Sequence, residues 1–224
     1  MTALPPEVVD RAAARYASAG RFDFHFVKGK LAGDPLYRGI VESVALPTQG
    51  RLVDVGCGRG ILLALLAEAR GVTGHRLELH GIEPREAAAT VARTALRGDA
   101  TIVRGHAGEV AIPECSVVTI LDVLHYLDEA EQDRLIDRAS AALSDGGLLL
   151  LREADAAAGW PFWAVRLGER FAAIARGDLS QRFHWRTATA WRMKLERAGF
   201  EVTVRPMGAG TPFANLLFEG RRKG

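Results

Sequence analysis

Short apolar runs of the kind found in parallel strands buried on both faces recur along the chain at Leu52–Val55, Leu77–Glu83, Ala100–Arg104, Ser116–Asp122 and Leu148–Arg152. Between them lie stretches with helical spacing: Ile61 through Ala69 with a stop near Gly71, Arg85–Arg97, and Asp128 or Glu129 to Leu143. Ser144-Asp145-Gly146-Gly147 reads as a turn before the fifth strand. Strand and helix thus alternate. That predicts an α/β doubly wound, Rossmann-like sheet, with its ligand at the carboxyl ends of the strands. Further on, Thr187 is a good N-cap for a helix to Ala198, with Gly199 as its stop. Phe200–Arg205 and Phe213–Glu219 then read as strands six and seven. Their link, Met207 to Pro212, is too short for a crossover helix, so the seventh strand of the sheet is expected to be antiparallel.

Two regions break this rhythm. At the head, residues 6–19 read as a helix with Pro6 near its start and Gly20 past its end, and Pro35–Ala45 as a second. Between them Phe22, Phe24 and Phe26 alternate like an edge strand, while Gly29, Gly33 and Asp34-Pro35 argue against a regular element. These rings read either as a lid over a ligand or as packing for the head. Residues 155–186 carry Trp160, Phe162, Trp163, Phe171, Phe183 and Trp185, with Arg166, Arg170 and Arg176 among them. They predict an amphipathic helix from Pro161 to Arg176, then irregular chain, serving as a substrate cap or as a packing helix. The organisation expected is one domain: a helical lid over 1–49, a cofactor-binding core over 50–153, a cap insert over 154–186, and a closing helix and hairpin over 187–224.

The chemistry centres on L-V-D-V-G-C-G-R-G, Leu52 to Gly60. A buried strand, a turn with Gly56, Gly58 and Gly60, and a helix N-terminus form a cradle in which a ligand can approach main-chain atoms. The dinucleotide fingerprint G-x-G-x-x-G is not met, because Ile61 stands where its third glycine belongs. Asp54 before the turn would repel a pyrophosphate and suits a ligand with positive charge and an amino group. Glu83 ends the second strand, where α/β nucleotide folds put an acid on ribose hydroxyls.

The run V-D-V-G-C-G-R-G resembles the first motif, (V/L)-D-x-G-x-G-x-G, of the class I S-adenosylmethionine-dependent methyltransferases, here of the small-molecule type. The acid ending strand two resembles that family's second motif, D-V-L-H-Y-L at Asp122–Leu127 its fourth, and L-S-D-G-G-L-L-L-L the approach to its fifth strand. Motifs cover about residues 50–153, and topology 187–219. The resemblance implies S-adenosylmethionine as cofactor. Asp54, Gly56, Cys57, Gly58 and Gly60 would hold its methionine part and sulfur end, with Glu83 and Pro84 at the ribose. His106 and Ala107 would border adenine, with Asp122, Val123 and Leu124 behind the cofactor. His106 stands where the family commonly has Asp, and a neutral imidazole nitrogen can accept the same bond. The head sequence K-L-A-G-D-P-L-Y also resembles methyltransferases encoded with bacterial pigment and polyene pathways, which implies secondary metabolism.

The sulfonium already makes its methyl electrophilic, so the protein must place a nucleophile, exclude water and, for an oxygen acceptor, remove a proton. His125, after strand four, is the first candidate base, with His184 second and His25 third. Phe26, Tyr37, Tyr126, Trp160, Trp163 and Arg166 are the candidate acceptor contacts. Neither D-P-P-Y nor N-P-P-Y follows strand four, which argues against amino groups of DNA bases or glutamine amides, and no P-C motif supports cytosine chemistry. A small acceptor that is aromatic, polyketide or fatty-acid-derived, free or carrier-bound, fits better, with O-methylation favoured. The competing classes are an NAD(P)-dependent oxidoreductase and a non-catalytic nucleotide-binding protein.

Composition sets outer bounds. The 224 residues carry a net charge of +2, too balanced for a dedicated nucleic-acid binder. Cys57 and Cys115 imply neither a disulfide framework nor a metal site, which points to a reducing cytoplasm. The first ten residues lack a signal-peptide pattern, and no apolar run reaches the roughly 20 residues of a membrane span.

Overall fold

The computed structural model describes residues 3–175, 180–208, 210–211 and 213–223. The expected helix end at Arg176 and the link residue Pro212 lie outside the described residues. In chain order the elements are α1 (Pro6–Ala14), α2 (Arg21–Gly33), α3 (Pro35–Ser43), β1 (Gln49–Val55), α4 (Ile61–Thr73), β2 (Arg76–Glu83), α5 (Glu86–Ala95), β3 (Ala100–Arg104) and β4 (Cys115–Leu121). There follow α6 (Glu129–Ala142), β5 (Leu143–Ala154), α7 (Trp160–Ala175), α8 (Ala188–Arg197), β6 (Phe200–Pro206) and β7 (Asn215–Arg222).

One seven-stranded sheet runs in the order β3-β2-β1-β4-β5-β7-β6. The first five strands pair in parallel, and β7 lies antiparallel to both β5 and β6. The strand order reverses between β1 and β4, and a crevice for a ligand opens at such a switch point. The pleat sends Leu148 and Leu150 to one core, shared with Val8, Ile40 and Leu62. Leu149 and Leu151 go to the other, shared with Ile136, Trp191 and Leu195. Both faces of the sheet are therefore covered, which is why β5 reads as an unbroken apolar run.

Local signals at the helix ends act as anticipated. Thr187 accepts a hydrogen bond from the Ala190 amide at the start of α8, and Asp128 closes a capping box with Glu131 on α6. No helix among the described residues is long and apolar enough to cross a membrane.

Two expectations need correction. The Phe22–Phe24–Phe26 alternation is not an edge strand but part of helix α2, despite Gly29 and Gly33. Tertiary docking outweighs propensity there: Val27 and Leu31 are fully buried, and Asp23 binds Arg59 of the glycine turn at 2.6 Å. The turn expected at Ser144–Gly147 is drawn into β5, with Gly146 at φ +71° and a register shift against β4 between Cys115 and Val117.

Candidate functional site

β1 ends in Asp54 and Val55, and the chain then turns through Gly56, Gly58 and Gly60, all at positive φ. The turn is docked on β2 by the amides of Gly56 and Cys57, which both donate to the Ile82 carbonyl. A Cβ on Gly56 would come within 2.4 Å of Val123 Cγ2, and one on Gly60 within 2.7 Å of Leu96 Cδ1. These two glycines therefore permit close packing. At Gly58 a Cβ would meet nothing nearer than Arg85 Nη2 at 3.9 Å, so the space above that peptide is open to a ligand.

Two buried carboxylates face this turn. Glu83 Oε2 accepts from the Gly58 amide at 2.9 Å, while Oε1 accepts from the Arg85 amide and its Nε. Asp54 accepts from the Thr119 hydroxyl at 2.6 Å. Burial pushes the Asp54 carboxyl up to about 7, against the Thr119 bond, and repulsion from Glu83 adds to the rise. A cationic ligand in the cradle would favour the ionised form and expel that proton. Calorimetric titration near pH 7 in buffers of different ionisation enthalpy is expected to register proton release on binding a cationic ligand, and Asp54→Asn to abolish it. Equal proton release from both proteins would remove Asp54 from this role.

A second constellation lies at the carboxyl ends of β4 and β5. Asp122, at φ +57° without being glycine, pairs with Arg152 at 2.8 Å, and Arg152 also grips Asp34 between α2 and α3 at 2.6 and 3.0 Å. Arg152 is only 2% exposed. Next to it Glu153 accepts from the amides of Leu124 and His125 and meets His125 Nδ1 at 2.9 Å. Trp185 stacks flat on the His125 ring at 4.3 Å between centroids. Burial alone would lower the imidazole's pKa, but the charge and hydrogen bond of Glu153, with Glu169 beyond, push it up to about 10. His125 is thus imidazolium at neutral pH. Its buried Nε2 makes no hydrogen bond, the nearest carboxylate being Glu169 at 3.8 Å.

A cavity of about 500 Å³ lies over this second constellation. His25, Phe26 and Lys30 of α2 line one side, and Val165, Gly168 and Glu169 of α7 another; Asp122, His125, Arg152 and Glu153 form the floor, with Trp185, Met207 and Phe213 around it.

A methyltransferase-domain family model matches residues 25–204. The chain belongs to that family. The resemblance to class I, S-adenosylmethionine-dependent methyltransferases thereby holds, and S-adenosylmethionine is the cofactor of such enzymes. No curated protein matches the chain. Solved structures share its fold at low identity. An O-methyltransferase family protein from Burkholderia thailandensis is 17% identical with a TM-score of 0.68, covering 96% of this chain and 64% of that one. Human N-acetylserotonin methyltransferase in complex with SAM is 18% identical at 0.63, over 99% and 61%. Magnesium protoporphyrin IX methyltransferase from Synechocystis, with bound SAH, is 18% identical at 0.64, over 94% of both chains. The methyltransferase domain here therefore spans under two thirds of the first two proteins.

The cradle fits the family's cofactor on its own chemistry. It offers an open backbone over Gly58, a spare acceptor site on Glu83 Oε2 for a hydroxyl, and a buried carboxylate at Asp54 whose ionisation a sulfonium or ammonium would favour. Cys57 is buried beneath the turn, and burial raises its thiol pKa. Pro84 is half-buried after Glu83, His106 exposed and Ala107 half-buried after β3; Val123 packs against Gly56, and Leu124 is buried beside it in sequence.

The acceptor-contact candidates separate. Phe26 lines the cavity, as does the candidate base His125. Tyr126 borders it through a 2.5 Å bond to Glu169, and Tyr37 lies near Arg152 with its hydroxyl pKa raised by burial. Trp160 and Trp163 are not among its lining residues; they stand 71% and 63% exposed on the far side of α7, Trp163 with Arg166 over its ring at 4.5 Å. His184 supplies main-chain groups instead: its amide donates to the His125 carbonyl, and its carbonyl accepts from Gln132.

Sequence reasoning missed Asp34, Arg152, Glu153 and Glu169. The signal available was Arg152-Glu153 directly after four leucines, two charges on a strand that the pattern buries on both faces.

Proposed function

We propose that this methyltransferase acts on the oxygen of a small, largely apolar acceptor held in the cavity between α2 and α7. One observation carries the reading: a His125 imidazolium whose buried Nε2 makes no hydrogen bond, in a side chain that lines a cavity walled by Phe26, Trp185, Met207 and Phe213. A donor of that kind attracts an oxyanion. An acceptor hydroxyl bound there loses its proton more readily, and Glu169, 3.8 Å from Nε2 and lining the same cavity, is the carboxylate that takes it. His125 thus acts as the positive partner of the nucleophilic oxygen rather than as its base.

S-adenosylmethionine, when bound, supplies the electrophilic methyl. The chain's part is placement. Gly58 and its turn hold the methionine part, Glu83 takes the ribose hydroxyls, and Asp54 balances positive charge. The aromatic walls keep water from the acceptor oxygen. The acceptor classes that suit such walls are phenols and polyketide- or fatty-acid-derived hydroxyl compounds of about the cavity's size.

Calorimetric titration with S-adenosylhomocysteine tests the cofactor half of this reading. Micromolar affinity is expected for the wild-type protein, and Glu83→Ala should weaken it more than tenfold, about 1.4 kcal/mol. Turnover of a panel of phenols, amines and carboxylic acids tests the acceptor half. Methylation of amines alone would overturn the oxygen assignment.

A further inference from the structure

The cap helix α7 has two faces. Phe162, Val165 and Glu169 turn toward the cavity and Trp185. The opposite face carries Trp160, Trp163, Leu167, Phe171 and Ile174, spaced by three or four residues and all exposed. On α2, Phe22 and Phe26 are exposed too, stacked on each other at 6.1 Å. Of the twelve large apolar side chains exposed among the described residues, eight lie on α2, α7 and the β6–β7 link. Such concentration is not the scatter of a monomer's surface.

The charges on the same helices are of one sign. Arg21 and Lys28 on α2, and Arg166 and Arg170 on α7, stand exposed. The acids of these helices are turned inward: Asp23 binds Arg59, and Glu169 binds Tyr126 and faces the cavity. The outer surface of both helices is therefore aromatic, aliphatic and cationic, on a chain whose net charge is only +2. The surface is also continuous with the cavity, since the exposed residues Phe26, Gly168 and Phe213 line it.

We propose that α7 and α2 form a membrane-surface docking face that seats the protein on an anionic lipid bilayer. Trp and Phe rings with Leu and Ile enter the headgroup–acyl boundary, while flanking Arg and Lys pair with lipid phosphates. The sign of the charge selects anionic lipid, and the size of the apolar face favours a bilayer over an acidic protein partner. The docking claim itself does not depend on the acceptor assignment.

Co-sedimentation with vesicles of phosphatidylcholine alone, or with a phosphatidylglycerol fraction, tests this at physiological salt. The expected result is binding to the anionic vesicles at least tenfold tighter than to the neutral ones, weakening as salt rises. Leu167→Asp with Phe171→Asp should reduce it more than tenfold, and Lys28→Glu with Arg170→Glu should remove the preference for anionic lipid. Titration with S-adenosylhomocysteine reports folding in each variant independently of lipid. Absence of vesicle binding by the wild-type protein would overturn the proposal, as would equal binding by a folded Leu167→Asp/Phe171→Asp variant. A mass doubled in light scattering, halved by that same variant and accompanied by no lipid binding, would assign the face to a second copy of the chain and also overturn it.

Discussion

Replacing Arg152 by Met is expected to destabilise the protein by about 3–5 kcal/mol, the usual cost of removing one partner from a buried ion pair. The guanidinium is 2% exposed and neutralises two carboxylates from distant parts of the chain, Asp34 and Asp122. Met fills similar volume, so lost packing is a minor part of the loss. The damage comes from two carboxylates left facing each other with only the half-exposed Lys30 ammonium, 3.5 Å from Asp34, beside them. Urea unfolding measures it. Adding Asp34→Asn and Asp122→Asn to the Met variant should recover part of the loss, since a buried charge then no longer lacks a partner. A cost below about 1 kcal/mol for Arg152→Met would mean that water already screens the cluster. The pH dependence has a defined sign. Burial opposes ionisation of Asp34, but Arg152 overcomes it and lowers its pKa below 3.8. Its stabilising share is therefore present above pH 3.8 and is lost as the pH falls through the depressed folded value.

Substituting His125 by Asn is expected to lower kcat by about 10²-fold or more while leaving S-adenosylhomocysteine affinity unchanged, the usual loss when one donor to a developing or bound oxyanion is removed. The pH profile separates this role from a structural one. With an imidazolium of pKa about 10, wild-type turnover should fall as the pH rises through about 10, and the Asn variant should lose that limb. Were His125 a base instead, activity would rise with pH up to that value. Stability carries the matching sign. The folded pKa lies above the ordinary 6.5, so the histidine's contribution is complete below 6.5 and lost as the pH rises through about 10. A kcat unchanged in the Asn variant would remove His125 from the reaction.

The sheet was legible because its signals are local. Alternating apolar runs, the Gly56–Gly60 turn and the short link before β7 each specify backbone within a few residues. Helix α2 was not legible, since its period-two phenylalanines and two glycines are overridden by the Asp23–Arg59 contact and the burial of Val27 and Leu31, which only the folded chain supplies. The site divides in the same way. Asp54 and Glu83 sit in recognisable strand-end positions, whereas the Asp34–Arg152–Asp122 cluster joins residues 118 and 30 positions apart. The two tryptophans of α7 show the limit of composition: aromatic content was read correctly, but which side of the helix faces the cavity depends on Val165 and Glu169 packing inward.

β7 is the last of the seven strands in sequence and yet occupies an inner position, between β5 and β6. During synthesis, β6 leaves the ribosome with no neighbour to join, and the edge of β5 stays bare until Asn215–Arg222 emerge. Final assembly of the sheet thus waits for the last of its strands to be made. A ribosome stalled before Asn215 would hold a nascent chain whose Leu148–Leu151 edge is open to pairing with other strands.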